Sequence, residues 1–126
     1  MLVLDSGAVS ELAKGSTQVR ALIAVLTIEG LWPPVVPSAV LAECLTGRPG
    51  NDARTNRLLK GCEIATRLDE RVARHAARLR TQARQGSAID AIVVASADPG
   101  GTVLTGDVKD ITALASQAAD VTVWRL

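Results

Sequence analysis

A chain of 126 residues, 48% hydrophobic and 21% charged, has the balance of a globular domain and excludes a disordered or low-complexity protein. A formal net charge of +1 declares no polyanionic partner, and with no Phe, no Tyr and two Trp there is no material for a single-strand binder built on aromatic stacking. The single His75 excludes His-rich metal sites and argues against a histidine-based triad.

The chain reads as alternating strands and helices. Leu2 to Leu4 is a short, wholly apolar strand. Residues 6–14 and 17–29 have helical spacing, with Ala21, Leu22, Val25 and Leu26 as the expected inner face of the second. WPPVVPS, with three prolines, permits only a brief strand at Val35–Val36. Ser38 is expected to cap a helix running to about Thr46, broken by Gly47, Pro49 and Gly50, with another helix over 52–60 and a strand from Cys62 to Leu68. In DERVARHAARLRTQARQG, Val72, Ala76, Leu79 and Ala83 recur at i, i+4, i+7 and i+11, the core stripe of an amphipathic helix. Ser87 opens a nearly all-apolar helix, SAIDAIVVASA. Thr102–Thr105 reads as a strand, 108–118 as a helix and Val121–Trp124 as a final strand.

Strands separated by helices imply an α/β fold with a mostly parallel sheet covered on both faces. One domain over 1–126 is expected, since no linker, repeat or compositional break divides it. No apolar stretch approaches the ~20 residues of a membrane span, and the first residues lack the basic and long apolar regions of a signal peptide. Cys44 and Cys62 stand outside any metal or redox motif, as small buried thiols in a reduced, cytoplasmic chain would.

Four acids stand at strand ends or early in helices. Asp5 closes the first strand; the plainer reading is a cap for the helix beginning at Ser6. Phosphatase chemistry of the D-x-D type needs an acid where Gly7 stands, and a metal-ion-dependent adhesion motif needs hydroxyls where Gly7 and Val9 stand, so both fail. A phosphate-accepting regulatory domain fails too, because Leu4 replaces the partner acid and Lys109 does not follow a strand as required. Glu43, in VPSAVLAECL, lies beyond the first helical turn, so capping does not explain it. Asp90 is three residues after Ser87, a capping-box spacing, yet it is the only charge between Ser87 and Ala97. Asp107 and Asp110, in TVLTGDVKDITAL, again carry cap spacing.

Clustered carboxylates repel one another unless a cation neutralises them, and an oxygen-only set suits Mg²⁺ or Mn²⁺. Such a cluster fits metal-dependent phosphodiester hydrolysis. Arg71, Arg74 and Arg78 form a basic stripe at i, i+3 and i+7 that could grip phosphates, or simply face solvent.

LVLDSGAVSEL, VPSAVLAE, AIDAIVVASA and VLTGDVKDITAL, in this order and reaching from end to end, resemble the PIN-domain nucleases, and more closely the compact VapC-type toxins of prokaryotic toxin–antitoxin pairs. The resemblance implies a PIN-like three-layer α/β/α sandwich with Asp5, Glu43, Asp90 and Asp107 as metal-binding and catalytic carboxylates. Of these, Asp5 and Asp90 match the family's usual direct magnesium ligands. Asp110 and Thr105 match polar positions flanking the last acid, and Ser6 a small hydroxyl residue after the first. Gly106 occupies a position often basic in the family. The resemblance further implies a Mg²⁺-dependent ribonuclease acting on RNA, homodimers, and inhibition by a small cognate antitoxin in a hetero-oligomer. The alternative is a non-catalytic RNA- or partner-binding PIN module, against which the complete acid set argues.

Overall fold

A computed structural model describes all of residues 1–126. In chain order the elements are β1 (Leu2–Leu4), α1 (Ser6–Ala13), α2 (Thr17–Ile28), β2 (Val35–Pro37), α3 (Ser38–Cys44), α4 (Pro49–Leu59), β3 (Glu63–Ala65), α5 (Glu70–Ala83), α6 (Ala88–Ala97), β4 (Gly101–Thr105), α7 (Val108–Ala115) and β5 (Val121–Arg125). The five strands form one sheet in the order β3-β2-β1-β4-β5, and every pairing is parallel. Helices cover both faces, giving a three-layer α/β/α sandwich. Right-handed crossovers require this division: α1–α4 serve the strands added on one side of β1, and α5–α7 those added on the other. In keeping with it, α1 packs on α3 and α4, while α5, α6 and α7 pack on one another.

β1 is buried on both faces, which is why Leu2, Val3 and Leu4 are all apolar instead of alternating. The same holds for α6, whose Ala91, Val93, Val94, Ala95 and Ala97 are buried against the sheet and the flanking helices. α5 is amphipathic as its spacing requires, with Ala76 and Leu79 buried and Val72 and Ala83 packed beside them.

Several elements depart from the sequence expectation. The inner face of α2 is Val19 and Leu26 with Leu22 and Ile23 beside them; Ala21 and Val25 point outward, Val25 at 53% exposure. That face keeps the i, i+3, i+4, i+7 spacing, displaced by about a quarter of a turn from the one expected. Ser38 is the first helical residue of α3 and makes no capping bond; Pro37 precedes it as the cap position. α3 stops at Cys44 because Leu45 turns extended (φ −109°, ψ 151°). Pro49 does not break a helix but starts one: as the first residue of α4 its fixed φ and missing N–H are harmless.

The α3–α4 turn is fastened by Asp52, a buried acid absent from the sequence expectation. Its carboxylate accepts from the Thr46 N–H (2.9 Å), the Thr46 hydroxyl (2.9 Å) and the Gly47 N–H (2.8 Å). The Thr46 N–H above all, joined by these other donors, holds the carboxyl below the usual range despite burial. Both cysteines are free and half-buried; burial pushes the Cys62 thiol up to about 11. No helix is long and apolar enough to cross a membrane.

Candidate active site

The strand order places β1 at the point where the chain reverses direction across the sheet: β2 and β3 lie to one side, β4 and β5 to the other. In open parallel sheets the crevice at such a point, beyond the carboxyl ends of the strands, is where ligands bind. Here those ends are Asp5, after β1, and Thr105, the last residue of β4.

Asp5 is only 3% exposed, and its bonds explain how a charge is tolerated there. Oδ1 caps α1 by accepting from the Ala8 N–H (2.7 Å) and also takes the Gly106 N–H (3.3 Å). Oδ2 accepts a very short hydrogen bond from the wholly buried Thr105 hydroxyl. That hydroxyl oxygen in turn accepts from the Asp107 N–H (2.7 Å), so the first acid is tied to the start of α7. Close backbone approach makes this possible. A Cβ on Gly106 would stand 3.2 Å from Gly7 Cα, and a Cβ on Gly7 the same distance from Gly106 Cα. A basic side chain at position 106 would therefore crowd the first turn of α1. Ser6, next to Asp5, is half-buried and opens that turn.

Three further acids converge beside this point. Single carboxylate oxygens of Asp90, Asp107 and Asp110 all lie within 4.8 Å of one another. Each is oriented by local structure. Asp90 is the fourth member of a complete capping box: its backbone N–H donates to Ser87 Oγ (3.0 Å) and its Oδ2 accepts from the Ser87 N–H (3.0 Å). Asp107 caps α7, its Oδ1 accepting from the Asp110 N–H (3.3 Å). Asp110 Oδ1 accepts from Gln85 Nε2 (2.8 Å), a bond reaching across from the end of α5. Asp107 is exposed and the other two are half-buried, so the trio faces solvent on one side.

Of the candidates read from sequence, the structure thus brings Asp90 and Asp107 together and adds Asp110 as an equal member. Asp5 lies outside the trio, joined to it by the Thr105 hydroxyl and the Asp107 N–H. Glu43 is exposed near the C-terminal end of α3 and is not drawn into the trio. Arg71, Arg74 and Arg78 are exposed along α5; Arg74 is paired with Glu70 (2.8 Å), and Arg78 Nη2 lies 3.4 Å from His75 Nδ1. Gln85 is the residue that sequence reasoning passed over. Only its place just before Gly86 and the α6 cap could have pointed to it.

Three carboxylates this close repel one another unless a cation or protons intervene, and the all-oxygen donor set matches a hard divalent ion. The fold and the trio define a parallel α/β protein with a cluster of three acids, able to hold a metal ion, at the carboxyl edge of its sheet. The PIN domain family profile matches residues 2–114, and the chain belongs to that family, whose members are generally nucleases. No curated protein matches it in sequence. Two solved structures share the fold. One, VapBC2 from Rickettsia felis bound to a DNA fragment from their promoter, superposes with a TM-score of 0.70 at 15% identity, over 99% of this chain and 98% of the other. The other, FitAcB from Neisseria gonorrhoeae, superposes with a TM-score of 0.67 at 22% identity, over 98% of this chain and 96% of that one.

Proposed function

We propose that this single PIN domain is the toxin of a type II toxin–antitoxin pair, a Mg²⁺-dependent endoribonuclease for which Mn²⁺ can substitute. The observation that carries the reading is the convergence of Asp90, Asp107 and Asp110 within 4.8 Å at the switch point of the sheet. These three would hold the ion, with Asp5 as a fourth catalytic carboxylate behind them. When bound, the ion supplies positive charge to the phosphodiester oxygens and makes nearby water more acidic.

The chain's own residues supply position. The Ser87 cap and the Gln85 amide fix Asp90 and Asp110, so these carboxylates do not have to be ordered when substrate arrives. Thr105 holds Asp5 and the α7 start in one register. The trio leaves carboxylate oxygens free on its exposed side that would take the proton water loses as its oxygen bonds to phosphorus, and solvent water would give the leaving ribose oxygen its proton as that bond breaks. A small cognate antitoxin is the partner this reading takes, in line with the fold shared with VapBC2 and FitAcB; homodimers within a hetero-oligomer and action in the cytoplasm are what the family resemblance implies.

The test is cleavage of a mixed-sequence RNA by the purified chain in Mg²⁺, in Mn²⁺ and in EDTA. The Asp90→Asn and Asp107→Asn variants should stay folded, because Asn still caps, and lose at least about 100-fold in rate. Expression of the wild-type chain should arrest growth, and Asp90→Asn should relieve the arrest. Equal cleavage by wild type and Asp90→Asn, undiminished by EDTA, would sink the reading; salt-sensitive RNA binding with no cleavage in either metal would favour the non-catalytic module. Glu43→Gln in the same assay decides whether the exposed acid on α3 takes part.

A further inference from the structure

A cleft of about 620 Å³ opens beside the acid trio, lined by Ala77, Arg80, Thr81, Arg84, Gln85 and Gly86. It joins the trio directly. Gln85 in its wall donates to Asp110, and Gly86 is so placed that a Cβ there would lie 3.7 Å from Asp90 Cβ. Two residues of its wall therefore adjoin two of the three acids.

Its charge is free to be used. Arg80 and Arg84, four residues apart on the last turn of α5, are exposed and belong to no ion pair. They lie about 130° around the helix from Arg71, Arg74 and Arg78, on the side that borders the α5–α6 turn. A second basic cleft, of about 450 Å³ and lined by Lys14, Arg20, Arg54 and Arg57, opens at the far end of α1 from Asp5 and is not continuous with the trio.

The backbone of the cleft is held in an uncommon conformation. Arg84 is the only non-glycine residue with positive φ (52°, ψ 29°), the left-handed cap of α5, a position where Gly or Asn is the easier choice. Holding a long cationic side chain there costs about 1 kcal/mol, and such costs persist where the surroundings impose them, often at functional sites. The result is that one turn carries a cation, the amide that orients Asp110, and a glycine close to Asp90.

Resting on the nuclease reading above, we infer that this cleft is the track for the substrate strand: Arg80 and Arg84 bind backbone phosphates of single-stranded RNA flanking the phosphodiester held at the trio. The two guanidiniums offset the repulsion that the three carboxylates exert on an approaching polyanion, and bidentate contact with phosphate is the geometry guanidinium favours. Contacts to phosphate set register without reading bases, so the track is sequence-tolerant.

The experiment compares wild type with the Arg80→Ala/Arg84→Ala double variant, and with Arg80→Lys/Arg84→Lys, by two readouts. Binding of a fluorescent single-stranded RNA 20-mer in EDTA is followed across salt concentration. Two lost phosphate contacts on a single strand should flatten the log–log salt slope by about 1.4, equivalent to about 25-fold weaker binding at 0.1 M salt, and the Lys variant should recover most of the slope. In cleavage of the same RNA with Mg²⁺, the Ala variant should raise KM by a similar factor and leave kcat within about twofold. An unchanged slope in the Ala variant overturns the track, whether or not the chain cleaves. A chain that shows the slope change but cuts nothing in either metal keeps the track and loses the nuclease reading. If the Ala substitutions weaken capture of an oligoglutamate peptide and leave RNA binding untouched, the cleft serves an acidic protein segment instead and the inference fails.

Discussion

Replacing Thr105 by Val tests how the buried end of the site is held. Valine keeps the shape of the side chain and removes the hydroxyl that donates to Asp5 Oδ2 and accepts from the Asp107 N–H. Thr105 is fully buried and Asp5 is 3% exposed, so water cannot readily replace the lost donor. A hydrogen bond to a charged group contributes about 1.5–3 kcal/mol, and the unpaired groups left behind add to that, so a loss of about 3 kcal/mol is expected. Thr105→Ser keeps the hydroxyl and removes one methyl, which costs about 1 kcal/mol. With about 2.1 cal/mol/K of unfolding entropy per residue over 126 residues, the Val variant should melt about 11 °C below wild type and the Ser variant about 4 °C below. Thermal melts followed by circular dichroism at pH 7 give both numbers. Should the Val variant melt within a degree of the Ser variant, the hydroxyl does not hold Asp5 and the account of its burial is mistaken.

Two other features make separate demands. Asp98, whose side chain is 4% exposed, is pushed up by burial but pulled down further by the Asp120 N–H (2.9 Å), His75 Nε2 (2.7 Å) and the Ala119 N–H (3.1 Å), so its carboxyl sits below the ordinary range. Stability from a depressed carboxyl is complete above the unfolded value of about 3.9 and lost as pH falls through the folded one, so the part of the melting gap between wild type and Asp98→Ala that the amide bonds to the carboxylate supply should close only below about pH 4. Gly86→Ala should destabilise by about 2–3 kcal/mol in urea titration, because φ is +87° and the new Cβ would stand 2.7 Å from Leu114 Cδ1. Gly100→Ala, with φ +88° and open space around it, should cost only about 1 kcal/mol; equal losses at the two positions would show that packing on Leu114 is not what fixes the α5–α6 turn.

What could be read from sequence follows the range of the interactions. β1, α5 and α6 were legible because their burial is written in local spacing: an all-apolar triplet, a four-residue stripe, an apolar run after a capping serine. The inner face of α2 was misplaced because apolar residues lie nearly all round that helix, so spacing alone leaves its rotation open. Asp107 and Asp90 were visible as caps. Their meeting with Asp110 was not, since it depends on how α6 packs on α7 and on a bond from Gln85, twenty-five residues from its acceptor. Asp52 and the His75–Asp98 pair left no periodic trace for the same reason: their partners are backbone amides of turns, or a side chain twenty-three residues away. The acids at the candidate site resemble ordinary caps in sequence because in the structure Asp5, Asp90 and Asp107 are caps as well.

That double duty shapes how this protein can be disarmed. A site acid that also begins a helix cannot be deleted without loosening the scaffold, so truncation to Ala and replacement by Asn are different lesions. Asn preserves the start of the helix and removes only the charge; Ala removes both and lowers the amount of folded chain in the cell. On the toxin reading proposed above, spontaneous escape would arrive by two routes, one leaving an inert protein still able to occupy a partner, the other leaving little protein at all. On that reading, only survivors of the first kind could go on sequestering the proposed antitoxin.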